Sequence, residues 1–114
     1  MTLPFVPHAI DVDDLEDWGA HPHPLNGTAP HTYGKVYFSD DQGHENGIWE
    51  CTPGFYQLAR SSHEMCFILE GHWILTGELG DIYELRAGDM ITLKKGWRGE
   101  SHVIEKVRKA YLEF

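Results

Sequence analysis

Arg60 and Glu64 are charged residues whose type could support chemistry, because each lies at the end of a run of mostly apolar and aromatic residues. If their side chains face the interior of a β-fold, each should contact the other or a ligand, since an unpaired buried charge is expensive. A guanidinium binds a carboxylate or carbonyl, and a carboxylate accepts hydrogen bonds or acts as a general base. Two interpretations stay open: a structural ion pair inside a filled fold, or a pocket in which Arg60 and Glu64 are the catalytic groups.

The rest of such a pocket follows from strand alternation, because side chains two positions apart on a strand share a face. The strand residues predicted to line it with the charged pair are Trp49, Tyr56, Leu58, Cys66 and Trp73. Trp97 is a further ligand-binding candidate, since it follows Gly96 in a predicted loop, and loops on a rigid scaffold often contact ligands. The alternative for the tryptophans is a role in the core or at a dimer interface.

Turn signals divide the chain from residue 33 onward into short runs rich in aromatic and β-branched residues. These runs predict strands over 33–39, 46–51, 55–60, 64–70, 72–77, 81–86, 90–94, 99–104 and 107–113. Many short strands without a long amphipathic helix predict an all-β sandwich or barrel. Residues 1–31 hold five of the six prolines and predict an extended N-terminal arm, with one helical turn near Asp13–Trp18, before a barrel over 32–114.

Two glycine-spaced motifs extend this prediction. Six residues separate Glu64 from Gly71, and a second run lies between Gly88 and Gly96. Both resemble the signature motifs of the cupin superfamily, which implies a jelly-roll β-barrel of two antiparallel sheets. In that family three histidines and the glutamate hold a metal, but here the histidine positions carry Leu58, Arg60 and Gly99. Leucine and glycine side chains cannot ligate and a guanidinium repels a cation, so we predict no metal at this position and no cofactor.

A narrower resemblance covers about residues 44–114. The stretches 47–54, 67–71, 95–100 and 107–111 are similar to the cupin domain of ureidoglycine aminohydrolase. That resemblance implies frequent dimerisation, and either ureide-type chemistry or no assigned activity.

Eight histidines keep a relocated metal site open as an alternative. His63 is adjacent to Glu64, so the two side chains should point to opposite faces of a strand. His102 should point outward unless a bulge turns it, and His21 and His23 lie in the arm, where they could bind a transition metal adventitiously. We expect these histidines to be solvated or hydrogen-bonded.

Composition limits the partners. Nine basic and eighteen acidic residues give a net charge of −9, which opposes binding to nucleic acid and to anionic membranes. The N-terminus lacks a signal-peptide pattern and no run is long enough to span a membrane, so we expect a cytoplasmic protein. Cys51 and Cys66 lie in apolar runs and should be reduced core thiols. A small barrel with this many aromatics predicts a homodimer that covers outer residues such as Phe67 and Leu69, or the arm near Trp18.

The sequence therefore favours a non-metal, small-molecule-binding cupin of unassigned activity, whose ligand is a small polar or anionic metabolite. The alternative is an enzyme acting on a small metabolite, through ureide or amino-acid-derivative chemistry. That enzyme could also be metal-dependent, using Glu64 with relocated histidines. The fold alone does not choose between these functions.

Overall fold

Nine β-strands and one short 3₁₀ helix make up the computed structural model, which describes all 114 residues. Every strand pairing is antiparallel, and the sheet curls into a barrel, which confirms the all-β jelly-roll prediction. The 3₁₀ helix is Ala9–Asp11, and the strands are β1 (Glu16–Ala20), β2 (Pro24–Leu25), β3 (His31–Ser39), β4 (Glu45–Cys51), β5 (Gly54–Ala59), β6 (Glu64–Gly77), β7 (Ile82–Arg86), β8 (Met90–Leu93) and β9 (Arg98–Glu113).

The two longest strands, β6 and β9, pair with each other along most of their length, and each has a different second neighbour in its two halves. The first half of β6 pairs with β8 and its second half with β7, while β9 pairs first with β5 and then with β4. Gly71, which separates the predicted runs 64–70 and 72–77, is a bend within one continuous strand, β6, with φ of +102° and register shifts between Ile68 and Trp73. A side chain at Gly71 would collide with the carbonyl of Lys106 in β9. The close approach of β6 and β9 at this bend therefore requires glycine.

The N-terminal arm contributes two strands to the sheet. β1 pairs with β3, and β2 pairs with β5. The helical turn predicted near Asp13–Trp18 is wrong: the turn lies earlier, at Ala9–Asp11, and residues 16–20 are extended. The physical reason is the pairing with β3, which places the Trp18 ring over Gly34, where no side chain opposes it.

Ten buried side chains form the barrel core, and strand alternation predicts most of them. They are Cys51, Tyr56, Cys66, Ile68, Trp73, Leu75, Leu85, Leu93, Val103 and Val107. The indole Nε1 of Trp73 donates to Ser101 Oγ at 2.5 Å, which satisfies its only polar atom. Both cysteines are free thiols, as predicted, and burial raises the pKa of Cys51 to about 12 and that of Cys66 to about 11.

None of the helical structure is long or apolar enough to cross a membrane.

Candidate functional site

A cavity of about 250 Å³ opens into the barrel next to the core. It brings together six of the residues that the sequence predicted for a site, and adds groups from the arm and from β9. The six are Trp49, Tyr56, Leu58, Arg60, Glu64 and Trp73.

A buried ion pair forms one wall of this cavity. Lys109 Nζ donates to both carboxylate oxygens of Glu64, at 2.8 and 3.2 Å, and both side chains are more than nine-tenths buried. Burial alone raises the pKa of Glu64, but the charges of Lys109 and Arg60 outweigh burial and hold that pKa below its ordinary value. Burial likewise lowers the pKa of Lys109, and the Glu64 carboxylate reverses the shift, so its pKa is raised. Both groups are therefore charged at neutral pH.

Arg60 extends the charged wall. Its Nη1 lies 3.5 Å from Glu64 Oε1, its Nη2 lies 3.5 Å from Glu113 Oε1, and Nη2 also donates to Ser62 Oγ. The backbone holds the residue in place, because the Arg60 N–H donates to the Trp97 carbonyl at 2.9 Å. The Nε of Arg60 is buried and has no hydrogen-bond partner. The protein therefore leaves the Nε–H of this guanidinium without an acceptor.

Three glutamates lie directly opposite one another on adjacent strands. Glu113 on β9 pairs with Glu45 on β4 and with Glu64 on β6. Like charges placed opposite each other repel, and burial together with the charge of Glu64 raises the pKa of Glu113. Glu45 accepts a hydrogen bond from the Tyr111 hydroxyl at 2.8 Å. Glu64 is bound through both oxygens by Lys109 and also contacts Arg60, whereas Glu113 has one contact with Arg60 and Glu45 one with Tyr111, so Glu113 and Glu45 keep more acceptor capacity.

Aromatic rings form the other walls. Lys109 Nζ lies 4.4 Å from the centre of the Trp49 ring and 5.1 Å from that of Trp73, within cation–π range. The arm supplies Trp18 and His21, whose imidazole stacks on Tyr56 at 3.8 Å. Burial, and then the neighbouring His23, lower the pKa of His21 to about 4, so the ring is neutral at neutral pH.

Two residues that the sequence predicted for the site lie elsewhere. Cys66 is fully buried in the core beneath Glu64 and does not line the cavity. Trp97 also lies outside it, where its indole Nε1 donates to Asp81 Oδ2 at 3.0 Å. Its backbone carbonyl nevertheless anchors Arg60. Trp97 therefore contributes to the position of the guanidinium rather than to the cavity wall.

Lys109, Glu45 and Glu113 are the charged site residues that sequence reasoning missed. For β9 a signal exists: alternation from Val107 through Lys109 and Tyr111 to Glu113 puts all four side chains on one face. No comparable signal reveals Trp18 and His21, because they reach the cavity through pairing of the arm with distant strands.

The side chains here do not fit the metal that the cupin fold usually implies. No group of three or more histidine, cysteine, aspartate or glutamate side chains has a geometry that could hold an ion. Glu64, the one family ligand present, is already bound by an ammonium and a guanidinium, and two cations repel a third. His63 and His102 are engaged elsewhere, His63 with the Lys95 N–H and His102 in a stack on Phe55.

Known structures share this architecture, whereas no curated protein matches the chain. A DUF861 family protein from Thermotoga maritima is 39% identical over 59% of this chain and 76% of its own, with a TM-score of 0.58. A DUF861 family protein of unknown function from Pseudomonas syringae is 22% identical with a TM-score of 0.79. That match covers 88% of this chain but only 44% of the Pseudomonas protein. The EutQ protein of Clostridium difficile is 17% identical over 81% of this chain and 75% of its own, with a TM-score of 0.67.

The sequence, compared with models of protein families, supports the family assignment. The model of the EutQ-like cupin domain matches residues 38–111, which is well over half of the chain and includes most of the charged wall. None of these matches names ureidoglycine aminohydrolase, so the narrower resemblance is not shown. The coarser prediction is confirmed: the chain belongs to the EutQ-like cupin domain family.

Proposed function

We propose that this protein binds a small polar metabolite in the barrel cavity, through the guanidinium of Arg60. The observation that carries the proposal is the buried, unpartnered Nε of Arg60 beside an open cavity. A buried donor without an acceptor costs about 1–3 kcal/mol, and a carboxylate or carbonyl oxygen of a ligand would remove that cost.

The dimensions of the cavity limit the ligand. Its volume of about 250 Å³ is below the roughly 300–1,000 Å³ typical of pockets for drug-sized molecules. The walls combine aromatic rings with charged groups, so a ligand that is both compact and polar fits them. A metabolite of amino-acid size meets both conditions.

The acidic end of the cavity adds a second requirement. Glu64 is engaged by Lys109 and Arg60, whereas Glu113 and Glu45 retain acceptor capacity. A donor group on the ligand, such as an amine or amide, would hydrogen-bond there while its carboxylate or carbonyl contacts Arg60. Amino acids and ureides carry both groups. In this proposal Lys109 fixes Glu64, Glu64 in turn holds Arg60 in place, and neither a metal nor a cofactor takes part.

The test is a calorimetric screen of small carboxylates, amides, ureides and amino acids against tag-free protein. Arg60→Leu should weaken binding of a ligand found in the screen by about 10–100-fold, the value of one charge-assisted hydrogen bond. Arg98→Leu is the matched control, because the Arg98 side chain is exposed, does not line the cavity and forms an ion pair with Glu78. Equal affinity of the wild type and Arg60→Leu for every ligand would refute a role for the guanidinium.

An enzyme acting on the same class of ligand is the second candidate, and Glu113 is the observation that favours it. Its raised pKa and its place on the cavity wall suit a general acid or base. In that case Glu113→Gln should abolish turnover of a bound ligand while leaving its affinity within about tenfold of the wild type. A ligand that binds and is recovered unchanged from the wild-type protein would leave binding as the function.

A further inference from the structure

The N-terminal arm joins the two ends of the curled sheet. The strand order begins with β1 on β3 and ends with β2 on β5, and β3 and β5 do not pair with each other. Only residues 21–23 separate β1 from β2 along the chain. The arm therefore spans the gap between β3 and β5, and it supplies Trp18 and His21 to the wall of the barrel cavity.

The part of the arm that spans this gap, residues 12–29, is fixed at both ends and weakly held between them. Before it, Arg108 Nη1 donates to the carbonyls of Ala9 and Ile10. After it, Pro30 is fully buried. No residue from 12 to 29 is buried. A segment with few buried apolar contacts opens at low free energy, so this one can leave the barrel without unfolding it.

Trp18 is the residue of this segment whose side chain the backbone redirects. The register between β1 and β3 shifts between Asp17 and Gly19, so Trp18 forms a β-bulge without a partner on β3. Bulges re-aim side chains and are common beside active sites. The sequence specifies this bulge, because Asp17 Oδ1 accepts a hydrogen bond from the Gly19 N–H at 2.8 Å and Gly19 has φ of +84°. The redirected ring lies over Gly34.

Exposure distinguishes Trp18 from the rings deeper in the cavity. Trp18 is 39% exposed, whereas Tyr56 is 2% and Trp73 0% exposed. Trp18 thus lies at the edge of the cavity and the other two rings lie at its floor. A ligand that enters past this edge would give the indole an aromatic or apolar contact in place of water.

We propose that residues 12–29 form a removable wall of the cavity, which opens to admit the ligand and closes with Trp18 packed against it. This inference rests on the proposed function, because it states how a ligand of that cavity enters and which ring covers it. Opening leaves the charged wall in place, since Arg60, Glu64 and Lys109 lie outside the arm. Lids of this kind exclude water and set the rates of binding and release.

Modification of Arg60 by phenylglyoxal, followed by peptide mass spectrometry, tests the removable wall without a ligand. Gly34→Ala should open the wall, because the added Cβ would collide with the Trp18 ring and the backbone of Gly34 is not left-handed. Arg60 should then react about tenfold faster than in the wild type, since the rate follows the population of the open state.

Two controls accompany this measurement. Arg98 is the internal reference, because its side chain is 62% exposed and should react at the same rate in every variant. Phe38→Ala is the matched variant, because Phe38 is an exposed aromatic residue of β3 that does not line the cavity. It should leave the reaction of Arg60 at the wild-type rate.

A disulfide that holds the wall closed should have the opposite effect. Ala20 and His31 are directly paired on β1 and β3, so Ala20→Cys combined with His31→Cys places two thiols within bridging distance. Arg60 should react at least about fivefold more slowly in the oxidised protein than in the same protein after reduction. Because both forms have the same sequence, the comparison excludes an effect of the substitutions themselves.

A ligand from the calorimetric screen adds a second measurement. Trp18→Ala should raise its Kd about 5–10-fold, the value of one aromatic contact. Gly34→Ala should raise both the association and the dissociation rate in stopped-flow experiments. A ligand bound through Arg60 whose affinity and rates are unchanged in both variants would overturn the removable wall and leave the proposed function standing.

The phenylglyoxal reaction separates the remaining outcomes. Faster modification of Arg60 in Gly34→Ala, in a protein that binds no ligand of the screen, would support the removable wall and count against the proposed function. Equal rates in the wild type, Gly34→Ala and the oxidised double-cysteine variant would overturn the removable wall, whatever ligand the cavity binds.

Discussion

Two buried ion pairs lie side by side on β9 and face opposite ways. Arg108 points to the outer side of the sheet, where its Nε and Nη2 both lie 3.0 Å from Glu50 Oε1. Lys109, the next residue, points inward and donates to Glu64 at 2.8 Å. Each pair joins one cation of β9 to a glutamate of a neighbouring strand, and all four side chains are largely buried.

The difference lies in what surrounds each pair. Around Arg108 the protein supplies every acceptor, since the third nitrogen bonds to the carbonyls of Ala9 and Ile10. Around Lys109 there is a cavity, and the neighbouring Arg60 keeps a donor without a partner. Buried charge alone is therefore weak evidence for a binding site. A donor left over beside open volume is better evidence.

The largest expected effect is on the inner pair. Lys109→Met should lower the free energy of unfolding by about 3–5 kcal/mol, because it leaves the Glu64 carboxylate buried with only the more distant Arg60 as a counter-charge. Urea denaturation at neutral pH measures the loss.

The double variant Lys109→Met with Glu64→Leu is the sharper measurement. Replacing both members of a buried pair by apolar groups is often neutral or stabilising, so the double variant should be more stable than Lys109→Met alone. It should still bind ligand more weakly than the wild type, since Arg60 then loses Glu64 as a partner. A double variant less stable than the single one would mean that the pair is not the source of the loss.

The outer pair should respond less. Arg108→Met should lower the free energy of unfolding by about 2 kcal/mol, because Glu50 keeps Lys106 at 3.8 Å as a second cation. Ligand affinity should be unchanged, since no atom of Arg108 reaches the cavity. Urea denaturation and calorimetry on the same preparation separate the two effects. If Arg108→Met lost as much ligand affinity as Arg60→Leu, the outer ion pair would also contribute to ligand binding and would not differ from the inner pair in this respect.

The smallest expected effect is the pH dependence of stability that comes from His21 in the N-terminal arm. His21 is half-buried beside the cavity with a pKa of about 4, below its ordinary 6.5, so the folded state favours the neutral ring. Its contribution to stability is complete above pH 6.5 and is lost as the pH falls towards 4. Screening of a half-exposed ring reduces the expected loss to about 1 kcal/mol.

Thermal unfolding at pH 7 and pH 4.5 checks this expectation. His21→Gln should be less sensitive to acid than the wild type over that interval. His8→Gln is the control, because His8 is exposed on the outer side of the chain, and it should unfold with the wild-type pH dependence. Identical pH dependence for His21→Gln and the wild type would show that the pKa of His21 is the same in the folded and unfolded states.

The sequence predicts the barrel and two of the five charged residues of its cavity, Arg60 and Glu64, for a local reason. Period-two alternation places Glu64, Arg60 and Trp73 on inward faces without reference to distant strands. The same rule applied to β9 would also have placed Lys109 inward. Trp18 and His21 are different, because only the pairing of the arm with β3 and β5 brings them to the cavity. Long-range pairing of this kind leaves no periodic trace in the arm.

A crystal structure of tag-free wild-type protein, grown with the best carboxylate, ureide or amino acid from the screen, would show whether Arg60 binds a ligand in the cavity. We expect ligand density in the barrel cavity, with an oxygen within hydrogen-bond distance of Arg60 Nε and a donor group near Glu113. Density for that ligand only outside the barrel cavity, or a cavity holding the ligand with Arg60 Nε still unpartnered, would contradict a role for the guanidinium in binding.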